Sequence, residues 1–261
     1  MERKRNIVRV AFFSASILLG LVVFSASARA SSGVESYRCQ IYNAYISGNM
    51  NEWLLLLRQM EQSYAKQKSD ELQLEIVRSY YGYIPFIISK GSKKDADRLL
   101  DKAFEYLNSY LKKYPRNAEV LAIKSSFFGF RIAINPLKGP FLGPKSQDIL
   151  KEAEDIAPKN PWVLLDKANA LHYTPKLFGG DPQEALKIYN ESIAILVKQG
   201  NNSCIWNYLN AYINLAYCQI KLKQYSAAMD TYNKLLSIAP SFKWVKQELI
   251  PELRKKMQKN S

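Results

Sequence analysis

The run from Tyr212 to Pro240, YINLAYCQIKLKQYSAAMDTYNKLLSIAP, decides the fold. Asn214, Leu215 and Ala216 lie in a first helical segment. Tyr225, Ala228, Tyr232, Leu235 and Ile238 recur at helical steps in a second segment, which Pro240 ends. That spacing puts the apolar side chains on one face of each helix. Ala228 is small enough for two helices to approach closely, and Tyr232 and Leu235 follow one and two turns further along the same face. A single helix pair cannot bury such a face alone, so the stretch predicts further pairs stacked on it.

Weaker copies run through the chain. Aligned on the anchor of the second helix, they start at Trp53, Ala96, Ser146, Ala185 and Ala228. Four residues later stand Leu57, Leu100, Leu150, Tyr189 and Tyr232, and three further on Met60, Ala103, Ala153, Ser192 and Leu235. The stretch 212–240 resembles a tetratricopeptide repeat, and the resemblance extends from about Tyr37 to Pro240. The anchor intervals of 43, 50, 39 and 43 residues exceed the roughly 34 of the standard repeat, so longer helices or loops absorb the excess. Two positions depart from the pattern: Ala216 replaces the usual glycine, and Trp53 the usual alanine.

The resemblance implies an all-α fold, a right-handed α-α superhelix of about five helix pairs with a C-terminal capping helix beyond Pro240. Trp53, Ala96, Ala185, Tyr189, Ala228, Tyr232 and Pro240 would be its packing residues. It also implies a protein or peptide partner in a concave groove lined by the first helices, here rich in tyrosine: Tyr80, Tyr81, Tyr83, Tyr208, Tyr212 and Tyr217. The long repeats and the PKLFGGD insertion resemble exported bacterial tetratricopeptide-like proteins.

The N-terminus reads as a Sec signal peptide over residues 1–30. Arg3, Lys4, Arg5 and Arg9 precede an apolar stretch from Val10 to Phe24, and Ala28-Arg29-Ala30 offers small residues at both positions read by signal peptidase. An uncleaved anchor is the alternative, although the apolar run is shorter than the ~20 residues that span a bilayer. The expected product is a periplasmic single domain, residues 31–261. The whole chain carries a net charge of +14, and residues 1–30 hold five basic and one acidic residue, which leaves +10. No nucleic-acid recognition motif accompanies this charge. It reads as a solvated surface, with an anionic envelope surface as the sharper alternative.

Catalytic and metal patterns are thin. The chain has one histidine, His172, and no nucleophile elbow, phosphate loop or metal-ligand spacing, so we expect a non-enzymatic protein without metal or cofactor. Acidic residues near helix starts read as caps: Asp181-Pro182-Gln183-Glu184 above all, then Asn49 with Glu52 and Ser92 with Asp95. Cys204 and Cys218 fall 14 residues apart in what reads as one helix, about 21 Å along its axis and too far to bridge. Cys39 reads as buried beside Tyr42, so no structural disulfide is expected.

Two elaborated loops stand out, 135–147 (beginning NPLKGPFLGPK) and 172–183 (beginning HYTPKLFGGDP). Each separates the first and second helix of its unit and the units are neighbours, so both should emerge on one edge of the stack. Ordered loops of this length are often functional. Phe141 and Phe178 would offer apolar area, Lys145 and Lys176 charge, and His172 and Tyr173 polar contacts. The packing alternative has Phe141, Leu142, Leu177 and Phe178 folding back over the core. The sequence therefore predicts a non-catalytic protein- or peptide-binding scaffold of the bacterial envelope. Its alternative is a small-ligand-binding accessory of an uptake system, with a pocket under the two loops.

Overall fold

A computed structural model describes residues 33–200 and 202–259, and the expected signal peptide lies outside them. The described residues are helical with no strand. A first helix, α1, spans residues 33–47. It is followed by α2 (Met50–Lys66), α3 (Asp70–Ser89), α4 (Lys93–Lys113), α5 (Ala118–Ile134), α6 (Gly139–Ile156), α7 (Pro161–Tyr173), α8 (Pro182–Gln199), α9 (Trp206–Lys221), α10 (Tyr225–Ile238) and α11 (Ile250–Lys259). A π-helical stretch, Val245–Leu249, leads into α11.

The helices pack pairwise, α3 on α4, α5 on α6, α7 on α8 and α9 on α10, while α3, α5, α7 and α9 also pack in series against one another. The result is a two-layered, all-α arrangement of tetratricopeptide-like character, with odd-numbered helices inside and even-numbered ones outside. Helix starts follow their capping chemistry. Asn49 accepts from the Glu52 amide at 3.2 Å, and Asp181 from the Gln183 and Glu184 amides at 2.9 and 3.1 Å. Ser92 behaves differently, donating its hydroxyl to Asp95 instead of capping the helix backbone.

Trp53, Ala96, Ala185, Tyr189, Ala228 and Tyr232 are fully buried, whereas Pro240 is exposed just past the end of α10. Trp53 needs space that only a glycine provides. A Cβ on Gly82 would stand 2.6 Å from the Trp53 ring and 2.7 Å from the Trp206 ring. The α2 indole thus lies across α3 and meets Trp206 of α9 at 5.2 Å between ring centroids.

The first described helix, α1, meets the C-terminal third of the fold. Tyr45 of α1 packs on Trp53, Trp206 and Phe242, the last at 4.9 Å, and its hydroxyl donates to Asn210 of α9 at 3.3 Å. A disulfide joins Cys39 to Cys204, with α-carbons 4.6 Å apart and a sequence separation of 165. This overturns the expectation of no disulfide. Cys204 lies in the turn before α9 with φ of 56° rather than inside the helix, and α1 returns to that turn when the inner layer closes on itself. Cys39 is accordingly half-buried in a bridge, and Cys218 is the free, buried thiol.

The first loop is also corrected. Pro136–Lys138 form a 3-10 turn, and α6 already begins at Gly139, with a proline in its first turn and Pro144 inside it. Proline at the first helical positions gives up an amide that has no helical partner anyway. The proline-rich composition therefore extends a helix instead of building a loop.

Candidate functional site

The inner layer forms a partly open cavity of about 240 Å³ lined by α1, α3, α5, α7 and α9 together. Trp162, Trp206, Ile205, Ile123 and Tyr81 form its apolar walls; Arg38, Glu75, Arg78, Glu119, Asp166 and Asn207 are its polar groups. Burying charge is costly unless it is paired, and here nearly every group has a partner. Glu75, almost fully buried, accepts from Arg38 Nη2 at 3.2 Å and from Arg78 Nη1 at 3.5 Å. Arg78 forks onto Glu119 with bonds of 2.7 and 2.8 Å. Burial works against the Arg78 charge, but Glu119 and Glu75 together raise its pKa.

Asp166 ends this network on the apolar side. Tyr81 donates to it at 2.6 Å and Ser126 at 2.8 Å. Burial nevertheless outweighs these bonds and raises the carboxyl to about 6. Tyr81, buried and beside that carboxylate, has its own pKa pushed far up and remains a donor. Asn169 donates to Tyr81 at 3.3 Å and accepts from Tyr189 at 2.7 Å, which ties the site to the α8 packing residue. One polar atom stands apart: Asn207 Oδ1 is buried at the cavity wall with no hydrogen-bond partner among the described residues. An unpaired buried acceptor costs about 1–3 kcal/mol, and a bound donor would recover it.

The residues singled out from sequence fall elsewhere. The cavity is lined by the N-terminal halves of α5, α7 and α9, whereas the two elaborated turns leave the C-terminal ends of α5 and α7. Phe141 and Phe178 therefore do not cover the cavity, and they do not fold back over the core either. They are 75% and 66% exposed, with Leu137 at 84% and Leu177 at 87%. Lys145 and Lys176 are exposed beside them. His172 points inward instead of offering a polar contact at a mouth. It is buried with Nδ1 unpartnered, its ring 4.4 Å from that of Tyr173 and 6.3 Å from that of Tyr189. Burial, helped by Lys221, lowers its pKa to about 4. Tyr173 exposes part of its ring while donating to Asn214 at 2.9 Å. Of the tyrosines expected on the concave face, Tyr80, Tyr83, Tyr208 and Tyr212 are core residues, and Tyr81 lines the cavity.

Glu35, Cys39 and Cys204 bring one carboxylate and two sulfurs within 4.8 Å of one another, but the sulfurs are bonded to each other and offer no thiolate. No described helix is long and apolar enough to cross a membrane.

Residues 210–241 match the family model described as Tetratricopeptide repeat. No curated protein matches the chain. Solved structures similar to it include the following two. The HusA haemophore from Porphyromonas gingivalis is 21% identical with a TM-score of 0.59, over 72% of this chain and 93% of that one. TTC0263, a thermophilic TPR protein of Thermus thermophilus, is 16% identical with a TM-score of 0.52, over 85% of this chain and 96% of that one. At these identities the likeness is one of fold, distantly tetratricopeptide-like.

Proposed function

We propose that the protein is an exported small-ligand-binding protein of the cell envelope that holds its ligand in the cavity of the inner helical layer. The observation that carries this reading is the closure of that layer. A peptide-binding groove is open along its length; here α1 is bonded to the start of α9, and what remains is a partly open pocket whose aromatic walls face a set of largely paired polar and charged groups. Concave pockets that combine aromatic walls with fixed polar groups are where small molecules bind. A disulfide joining α1 to the turn before α9 suits an oxidising compartment, which supports export.

The chemistry of the walls describes the ligand. Trp162, Trp206 and Tyr81 offer flat apolar contact, Asn207 Oδ1 calls for a donor, and Asp166 is a carboxyl that protonates close to neutral pH. A cavity of about 240 Å³ lies below the ~300–1,000 Å³ of drug-sized sites, so it would take one ring system or the edge of a larger planar molecule. Because one solved structure of this fold is a haemophore, tetrapyrroles belong in the test beside simple heteroaromatic compounds. His172 and Cys218 do not line the cavity, so its walls offer such a ligand the faces of Trp162 and Trp206 and the polar groups of Tyr81, Asp166 and Asn207.

The test is a thermal-shift screen of both compound classes, repeated on Trp162→Ala and Asn207→Leu. A ligand at 100 times its Kd stabilises by about 2.7 kcal/mol, several degrees in Tm for a domain of this size. The reading expects at least one compound to produce that shift and both variants to reduce it. Shifts that survive both substitutions, or none across the panel, would count against it.

A further inference from the structure

The α5–α6 and α7–α8 turns display large apolar side chains outward, and the backbone is built to hold them there. In the second turn the Phe178 amide donates to Pro175 O at 2.8 Å, the Gly180 amide to the same carbonyl at 3.2 Å, and the Asp181 amide to Leu171 O at 3.0 Å. Gly179 adopts φ of +94°, and a Cβ on Gly180 would lie 1.8 Å from Thr174 O. Two glycines are thus required for a tight turn whose effect is to lift Leu177 and Phe178 into solvent. In the first turn Leu137 is exposed, and Phe141 and Lys145, also exposed, follow within α6 one helical turn apart on one face. Exposed apolar groups clustered in this way mark a contact surface.

Charge identifies the contact. Residues 133–147 and 172–180 contain no acidic residue, the first acids being Asp148 and Asp181 immediately beyond them, and Lys138, Lys145 and Lys176 flank the apolar tips. Because α3, α5 and α7 pack side by side, each followed by its partner helix, the α3–α4 turn emerges on the same edge and adds exposed Lys90, Lys93 and Lys94. Leucine and phenylalanine tips ringed by lysines match the two layers of a membrane surface, acyl chains beneath and anionic headgroups above.

We infer that this edge docks the protein on an anionic lipid surface, with Leu137, Phe141, Leu177 and Phe178 entering the headgroup boundary and the surrounding lysines meeting lipid phosphates. The surface is separate from the cavity and independent of any ligand there. It would hold the cavity, at the opposite ends of the same helices, facing away from the bilayer.

The form tested is residues 31–261, the product expected after signal-peptide cleavage, because the apolar run within residues 1–30 would itself bind lipid. Residues 31–261 are mixed with vesicles of phosphatidylglycerol and phosphatidylcholine in equal parts, or of phosphatidylcholine alone, and sedimented. Binding is expected to the anionic vesicles only, and to weaken with salt. Phe141→Ser with Phe178→Ser should abolish it with unchanged circular dichroism and Tm. Lys138→Gln, Lys145→Gln and Lys176→Gln should each weaken it by roughly fivefold. Equal binding to neutral vesicles, anionic binding indifferent to these substitutions, or no vesicle binding would overturn the inference. So would capture of an envelope protein that depends on Phe141 and Phe178 in the absence of vesicle binding, which would assign the edge to a protein contact.

Discussion

Two buried titratable residues respond to acid in opposite directions. The folded Asp166 carboxyl keeps its proton up to about pH 6, while an unfolded one loses it near 4. Between those values the folded state binds more protons, so this group's contribution to stability falls as pH rises. Asp166→Asn keeps an acceptor for Tyr81 and Ser126 and should raise stability at pH 7.5 by about 1–3 kcal/mol, with the gain fading towards pH 4. For His172 the sign reverses. Its imidazole stays neutral in the fold down to about 4, an unfolded one takes a proton near 6.5, and stability is lost as pH falls through that window. His172→Phe should flatten the acid limb by on the order of 1–3 kcal/mol. Denaturant melts at pH 4.5, 6 and 7.5 (~0.5 pH either way) resolve both slopes; parallel slopes for wild type and variant would remove the corresponding buried group from the account. Neither of the two buried acids of the cavity, Asp166 and Glu75, stands out by motif. Asp166 interrupts the apolar run VLLDKANAL and Glu75 the run LQLEIV, and an acid inside an apolar run was the available signal.

At the scale of helices and turns, close approach sets the limits. Gly82→Ala should cost at least about 1–3 kcal/mol, because the new methyl meets two rigid indoles. Ala228→Leu should cost a similar amount by overpacking a fully buried position. Phe178→Ala, by contrast, removes an exposed ring and should change stability by no more than about 0.5 kcal/mol. A large loss of Tm in that variant would mean that the ring packs on the core in solution. The helices themselves were legible, because three- and four-residue spacing and capping pairs are local signals. The start of α9 was not placed correctly. Gly200-Asn201-Asn202-Ser203 is a turn-forming sequence, and reading it as a break would have taken Cys204 out of the helix and reopened the question of a disulfide.

On the scale of the whole molecule, the decisive feature is the meeting of α1 with the C-terminal third of the fold, and this had no local signature. Contacts between Tyr45, Trp206 and Phe242 join residues far apart in the chain, and helical periodicity is silent on whether a stack of pairs stays open or closes. The Cys39–Cys204 bridge closes a 165-residue separation, for which loop entropy gives about 5 kcal/mol as the upper end of its effect. Cys39→Ser with Cys204→Ser should therefore lower stability by about 2–5 kcal/mol and leave the helical signal at low temperature in place. A double variant as stable as wild type would mean that aromatic packing alone closes the inner layer.

The most direct test of the ligand-binding reading is native mass spectrometry of the protein purified from its own cell envelope, beside Trp162→Ala and Asn207→Leu. The account predicts a small molecule that travels with the folded wild-type protein, is released on denaturation and is depleted in both variants. A wild-type protein that carries nothing from the envelope, or a bound species retained equally by both variants, would contradict it.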